Sequence, residues 1–327
     1  MNEPGFEAAH AAEWKALAAS LERKRKGVPS DAAPASEVPR RFRRVVAQLA
    51  LARDRQYRTS LIDALHSLVV SAHLAIHGAR ARRGYGTFSA LWRFIFETFP
   101  REVRREWPFV LASAIALFGP FFALLAAIQL HPDFVYYVIS PDMLAKVQVM
   151  YAPDNMRLGA GREADTDLAM FGFYIFNNVR IDLQCLAGGI FFGLGTLFFL
   201  VYNGAFMGAL AGHLTHVGYI ETFWGFVAGH SAFELTGAAL SGAAGLRIGH
   251  ALVTPGRLTR GAALRAAGRP AAVLVYGAAI LTTAAAVIEA FWSSRVSIPF
   301  EVKVPFGIAL WAVVLLYLAF GGRTRGS

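Results

Sequence analysis

The sequence predicts an all-helical membrane protein, in which a polytopic bundle of about six spanning helices follows a helical N-terminal domain. Of the 327 residues, 55% are hydrophobic, and the mean hydropathy of +0.43 is too high for an ordinary soluble domain. An uncharged run from Phe109 to Gln129 is long enough to cross the hydrocarbon core, which needs about 20 apolar residues. Basic and acidic residues are concentrated in separate segments, as they are in proteins with a fixed membrane orientation.

The first part of the chain, residues 1–85, is predicted to be a basic cytoplasmic domain. Helices are predicted at 6–26, 40–58 and 59–83, where apolar residues recur at helical spacing. Residues 1–107 hold 19 Lys or Arg against 11 Asp or Glu. We interpret this charge as a contact with anionic membrane lipids and not with nucleic acid, because membrane-spanning sequence follows it directly.

Residues 86–107 are predicted to form an amphipathic helix that lies on the membrane surface. Bulky apolar side chains, among them Trp92 and Phe96, share one helix face. The basic residues that follow are predicted to face lipid headgroups, and they are Arg101, Arg104 and Arg105. The segment therefore leads from the cytoplasmic domain into the first span.

The last part of the chain, residues 108–327, is predicted to form the transmembrane bundle. The predicted spans are apolar runs bounded by polar or basic segments, and they cover 109–130, 185–202, 204–218, 223–250, 271–292 and 304–320. The third run is short, so whether it crosses fully is left open. Asn203 and Gly204 are predicted to form a tight turn between the second and third spans.

The distribution of charge predicts the orientation of this bundle. Residues 131–170 hold six acidic residues against three basic ones and are predicted to form an external loop. Residues 254–270 hold four arginines and no acidic residue, so this segment is predicted to be cytoplasmic, like the basic C-terminal tail. Six crossings satisfy all these assignments and place both termini in the cytoplasm.

Small residues recur at every fourth position in several predicted spans. This spacing puts them on one helix face, where small side chains allow close packing of helices in lipid. The glycines predicted to pack helices are Gly204, Gly208, Gly212, Gly245 and Gly249. We favour packing inside the bundle and keep a homodimer as the alternative.

The segment GHSAFELTG places His230 and Glu234 one helical turn apart in apolar surroundings. Ionisable groups inside a bilayer normally face the bundle interior and pair with one another. The sequence therefore predicts a buried polar cluster, whose members are His230, Glu234, Asn177, Asn178, Arg180, Asp182, Asn203 and Glu289. His213 and His216 are candidate additional members.

Three interpretations of this cluster compete. The first is a structural clamp, in which Glu234 accepts hydrogen bonds from His230 or from neighbouring helices. The second is a zinc site completed by one or two further ligands such as His213 or His216. Because no HExxH-like signature is present, we predict no metal. We also predict no cofactor, and we assign no catalytic residue. The third is a pathway for protons or a solute.

A series of motifs resembles the stage II sporulation protein M family of multipass membrane proteins. FNNVRIDLQCLAGGIFFGLGTLFFLVYNGAFMGALAG is followed by FVAGHSAFELTGAALSGAAGLRIGHALVTPGRLTRGAALRAAGRPA and by AAVIEAFWSS. The likeness extends to EWKALAASLERKRKG and ETFPREVRREW in the N-terminal half. The chain departs from the family at His230, where the usual Pro-His-Gly is replaced by Gly-His-Ser.

The resemblance implies an integral protein of the bacterial inner membrane. The family's namesake looks like a scaffold in a complex with cell-wall hydrolases, and relatives occur near genes for AAA-type ATPases and envelope proteins. From this likeness we expect a non-enzymatic scaffold of an envelope-associated complex, with membrane lipids and other proteins as partners. The alternative function is a transporter or channel for a small solute, ion or lipid, and an intramembrane hydrolase ranks third.

Cysteine labelling tests the predicted orientation. In a Cys185→Ala background, a Met150→Cys variant is expected to react with a membrane-impermeant maleimide supplied from outside, because the basic flanks hold the neighbouring segments inside. A cysteine at Ser327 is the inward-facing control and should stay unlabelled until the membrane is permeabilised. Labelling of position 150 only after permeabilisation would contradict the orientation.

Overall fold

The computed structural model describes residues 3–25, 37–81, 87–155, 158–159 and 167–323. All the described elements are helical, as predicted, and the chain divides into two compact units, Met1–Ala90 and Leu91–Ser327. The domain boundary predicted between residues 85 and 86 falls within residues 82–86, which are outside the described part of the chain.

The first unit is a bundle of three helices, α1 (Glu3–Arg25), α2 (Glu37–Asp54) and α3 (Thr59–Ala81). The apolar positions of all three helices meet in one core, whose buried members are Phe6, Leu17, Val45, Leu49, Ala52, Leu61, Leu65 and Ala72. Polar contacts join the helices near the surface, and one of them is a hydrogen bond of 2.7 Å from Trp14 Nε1 to Gln48. This unit therefore has a hydrophobic core of its own.

The helices described from residue 87 onward are α4 (Thr87–Arg93), α5 (Phe99–Arg105), α6 (Trp107–Leu130), α7 (Pro141–Met150), α8 (Asp167–Ala187), α9 (Leu194–His216), α10 (Ile220–Ala228), α11 (Ser231–Val253), α12 (Arg260–Ile288) and α13 (Phe300–Phe320). They are joined by π turns at Phe94–Thr98 and Glu289–Ser293 and by 3-10 turns at Pro132–Tyr137 and Gly188–Ile190. The predicted external loop thus contains α7 and a 3-10 turn in its described residues.

Four helices are long and apolar enough to cross a membrane, and they are Trp107–Leu130, Leu194–His216, Arg260–Ser293 and Phe300–Phe320. The sequence predicts about six spans. α8 and α11 are of sufficient length at 21 and 23 residues, but charged and small polar residues lower their hydropathy. The count of six therefore stays a prediction that depends on these two helices.

α11 is the central helix of the second unit. It contacts α6, α8, α9, α10, α12 and α13, and most of its side chains are buried. Its sequence is rich in Gly, Ala and Ser, so neighbouring backbones approach it closely. Ser113 on α6, for example, donates from Oγ to the carbonyl of Ala239 at 2.6 Å.

The tight turn predicted at Asn203–Gly204 is wrong, because α9 runs through both residues. Asn203 donates from Nδ2 to the backbone carbonyl one helical turn earlier at 2.7 Å, so its side chain bonds within the helix. The predicted spans 185–202 and 204–218 are therefore corrected to one helix, α9. The chain turns earlier, at Gly188–Gly193, where Gly193 has a φ of +85° that a larger residue rarely adopts.

The predicted span 223–250 is also interrupted. Gly229 and His230 separate α10 from α11 and form a break between the two helices. Gly229 has to be small, since a Cβ there would overlap the ring of Trp292 on the second π turn. The break therefore lies in direct contact with that turn.

The glycines predicted to pack helices all lie where a Cβ would press on a neighbouring segment, and they are Gly204, Gly208, Gly212, Gly245 and Gly249. The first three face α6. The other two face the end of α8, the start of α9 and the turn at 188–193. These faces are used within the chain, so the same faces are not free to form a homodimer.

The basic residues of α5 have a second role besides the predicted contact with lipid. Arg104 donates to the carbonyl of Leu318 at 3.0 Å, and Arg101 donates to the carbonyl of Gly322 at 3.2 Å. Basic side chains stabilise the last carbonyls of a helix, here α13. Arg101 and Arg105 are both exposed and Arg104 is half-buried, so the contact of these three residues with lipid stays a prediction.

The contact of α9 with α6 predicts the effect of a Gly208→Ala substitution. The added Cβ would overlap the carbonyl oxygen of Phe121, so the two helices must separate. We expect the free energy of unfolding to fall by about 1–3 kcal/mol, as overpacking generally costs. The measurement is thermal unfolding in detergent. Gly119→Ala is the control, because no atom lies within 4 Å of its Cβ position, and an unchanged melting temperature for Gly208→Ala would contradict the packing.

Candidate functional site

A cavity of about 790 Å³ lies within the second unit, between α6, α8, α9, α10, α11 and α13. Much of its wall is aromatic, including Phe118, Phe121, Phe122, Phe198, Phe199, Tyr202, Phe206 and Trp311. Phe122, Phe198 and Tyr202 are 60%, 62% and 54% exposed, so the cavity reaches the lateral surface of the bundle. These residues belong to α6 and α9, two of the four apolar helices, so the cavity opens on an apolar side of the bundle.

Six of the eight residues predicted to form the polar cluster line this cavity, namely Asn177, Arg180, Asn203, His230, Glu234 and Glu289. Gln184 lines it as well and was not predicted. Asn177, Arg180 and Gln184 recur at i, i+3 and i+7, so they share one face of α8. This helical spacing from Asn177 and Arg180 is the sequence signal by which Gln184 could have been predicted.

His230 and Glu234 lie at the break between α10 and α11. His230 precedes α11, and Glu234 belongs to the first turn, where its amide donates to the carbonyl of His230 at 3.1 Å. Nε2 of His230 is 3.6 Å from Oε2 of Glu234, which is too long for a hydrogen bond. Nδ1 of His230 lies 3.0 Å from Oγ of Ser293 instead. The imidazole is therefore held by Ser293, and Nε2 is left facing the carboxylate across a gap.

Glu289 completes a group of three titratable side chains. One nitrogen or oxygen atom from each of His230, Glu234 and Glu289 lies within 4.8 Å of the other two. Glu289 begins the second π turn and Ser293 ends it, so this single turn supplies two of the neighbours of His230. Turns of the π type are frequent at functional sites.

The two additional histidines lie elsewhere. His213, near the end of α9, is buried, and its Nε2 lies 2.9 Å from the amide nitrogen Nε2 of Gln148 on α7. His216 is exposed, and neither histidine lines the cavity. A zinc site completed by His213 or His216 is therefore not supported by their positions.

The remaining two cluster residues, Asn178 and Asp182, line a second small cavity of about 20 Å³. Asp182 accepts a hydrogen bond of 2.6 Å from Thr282 on α12. Nδ2 of Asn178 is buried and has no partner among the described residues. The volume is sufficient for about one water molecule. Asn203 and Glu234 line both cavities, so they form the wall between the two.

Besides the carboxylates, the wall of the larger cavity contains a positively charged side chain, Arg180, and a neutral phenol, Tyr151. Arg180 is exposed and makes no hydrogen bond or ion pair within the described part of the chain, so it brings an unpaired positive charge. Tyr151 follows α7, outside the spanning helices. Burial and then the nearby charge of Glu289 raise the pKa of Tyr151 far above its usual value, so its hydroxyl stays neutral.

Comparison with known families agrees with the motif series. The family described as Stage II sporulation protein M matches residues 110–294, which is more than half of the chain. The chain belongs to the stage II sporulation protein M family. A second family, described as a domain of unknown function (DUF8413), matches residues 5–78, which correspond to α1–α3. No curated protein and no solved structure matches the chain.

Membership of the stage II sporulation protein M family, together with the four apolar helices, identifies this as a membrane protein. The matched region contains the whole predicted polar cluster and both breaks in the helices. It ends before α13, so Lys303 and Trp311 lie outside the match. The resemblance seen in the sequence is thereby confirmed for the region that carries the cavity.

The contact of Ser293 with His230 predicts the effect of a Ser293→Ala substitution. The change leaves Nδ1 of a buried imidazole without a partner, which costs about 1–3 kcal/mol. We expect a lower melting temperature in detergent than for the unchanged protein. Thr283→Ala is the matched control, because Thr283 is exposed and bonds only within α12. Equal melting temperatures for the two variants would contradict the role of Ser293.

Proposed function

We propose that the chain binds a lipid-like molecule from the bilayer in the larger cavity and acts as a transporter or carrier of that molecule. The observation that carries this proposal is the composition of the cavity wall. Aromatic side chains line the part that reaches the lateral surface, and charged or amide side chains line the rest. An amphipathic molecule matches both parts.

The volume and position of the cavity support this proposal. Pockets for small molecules usually measure about 300–1,000 Å³, and this one measures about 790 Å³. Ionisable residues within membrane segments generally mark a pathway or binding site. Helices that break near the middle of a bundle are a common feature of transporter binding sites, and Gly229–His230 forms such a break.

The polar wall indicates the chemistry of the headgroup. Arg180 supplies a positive charge that no described residue neutralises. The amides of Asn177, Gln184 and Asn203 supply both donors and acceptors. An anionic headgroup such as a phosphate fits this set, because arginine binds phosphate with two parallel hydrogen bonds.

A scaffold in an envelope complex is the second candidate function, and it is favoured by the first unit. That unit has its own core and corresponds to a family match of its own, as expected of a module that binds partners. Its segment of the chain is basic, which favours anionic lipid or an acidic protein surface. For a scaffold of this kind we propose a location in the bacterial inner membrane, with both termini in the cytoplasm.

Native mass spectrometry of the full chain in mild detergent tests the first proposal. We expect a phospholipid to remain bound, and Met207→Trp to exclude it because residue 207 lines the cavity. Arg180→Gln is expected to weaken binding about tenfold or more, since a hydrogen bond to a charged group contributes about 1.5–3 kcal/mol. Leu197→Trp is the control, because Leu197 lies on the same helix and does not line the cavity.

Equal lipid occupancy in Met207→Trp and Leu197→Trp would contradict the proposal. Complementation of a strain that lacks the gene separates the two candidate functions. If Met207→Trp folds, loses its lipid and still complements, the scaffold function accounts for the activity. If it folds and fails to complement, while Leu197→Trp complements, the cavity carries the activity.

A further inference from the structure

We infer that His230, Glu234 and Glu289 bind a divalent metal ion at the polar wall of the larger cavity, and that Zn²⁺ is the ion that fits their chemistry. One imidazole and two carboxylates form a ligand set of the kind found in zinc sites that keep an open position. His230 lies at the break between α10 and α11, Glu234 in the first turn of α11 and Glu289 at the start of the second π turn, and each of them lines the cavity.

The distances between the three groups support a bridging ion. Nε2 of His230 and Oε2 of Glu234 are 3.6 Å apart, and one ligand atom from each of His230, Glu234 and Glu289 lies within 4.8 Å of the other two. Ligand atoms around a tetrahedral zinc ion are about 3.3 Å apart, because each bond is about 2.0 Å long. Small rotations of the two flexible carboxylate side chains therefore suffice to bring all three atoms into contact with one ion.

The orientation of His230 also favours a metal. A histidine that binds a metal through one ring nitrogen usually has its other nitrogen held by a hydrogen bond. Nδ1 of His230 lies 3.0 Å from Oγ of Ser293, and the carbonyl of Ser293 in turn accepts a hydrogen bond of 2.8 Å from Lys303. Nε2 is therefore left to face Glu234, from which it is 3.6 Å away.

The charges around the site point in the same direction. Two carboxylates that approach each other inside a bilayer need compensation by positive charge or by protons. Lys303 is buried and donates from Nζ to the carbonyl of Ser293, the last residue of the same π turn. A divalent ion bound at Nε2 and the two carboxylates would supply such a positive charge.

The three residues leave at least one coordination position, and the site opens into the cavity. A phosphate oxygen or a water molecule would occupy that position. The inference goes beyond the proposed function, because the metal would bind to lipid-free protein as well. Loss of lipid and loss of metal are thus separate outcomes of separate measurements.

Zinc binding by the purified full-length protein tests the inference. The protein is stripped with a chelator, delipidated, and titrated with Zn²⁺ in competition with a chromophoric chelator. We expect one Zn²⁺ per chain, and a loss of affinity of about 100-fold or more in Glu289→Gln and in Glu234→Gln, since even the outer partners of metal ligands contribute about 10–100-fold. The double variant His213→Gln, His216→Gln is the control and should bind like the unchanged protein.

A stoichiometry well below one, or unchanged affinity in Glu289→Gln, would overturn the inference. If the glutamine variants fail to fold, zinc-edge X-ray absorption of the unchanged protein gives the answer. One imidazole with oxygen ligands supports the site. A sulfur ligand, which only Cys185 or a methionine can supply, or several imidazoles would overturn it.

Discussion

Close backbone contact around α11 is the constraint on which the rest of the membrane unit depends. Helices in lipid gain little from the hydrophobic effect, so they associate through tight packing and hydrogen bonds. Gly245 and Gly249 let the turn at 188–193 lie against α11, and Ser113 ties α6 to it through a hydrogen bond. The positions of α6, α8, α9 and α12 follow from these contacts.

The same packing explains why the cavity exists. Bulky aromatic residues do not fit beside the small-residue faces of α11, and they are found instead on α6, α9 and α10. Non-helical backbone at membrane depth is tolerated where protein buries it or where it lines a cavity. The break at Gly229–His230 satisfies that condition, because it packs on the π turn at Glu289–Ser293. The polar side chains His230 and Glu289 therefore line the cavity at the points where the helices are irregular.

The polar cluster shows how much of the site was predictable. Its members were identified because charged and amide side chains are costly in a bilayer and normally face a bundle interior. Their partners were not identified, and the zinc ligands considered, His213 and His216, lie away from the cavity. Glu289 and Ser293 belong to a π turn, and a helix and a π turn have nearly the same sequence pattern. No local signal distinguishes the two.

The amino-acid sequence by itself determined the helical class, the family, the three N-terminal helices and most of the polar residues that line the cavity, because hydropathy and periodicity are local properties. The tertiary structure decided where the helices break. The sequence predicts a turn at Asn203–Gly204 and a span through residues 188–193, yet the chain turns at Gly188–Gly193 and stays helical at Gly204, which lies against α6. It also decided that His230 meets Ser293, 63 residues away, because such contacts depend on how whole helices pack against each other.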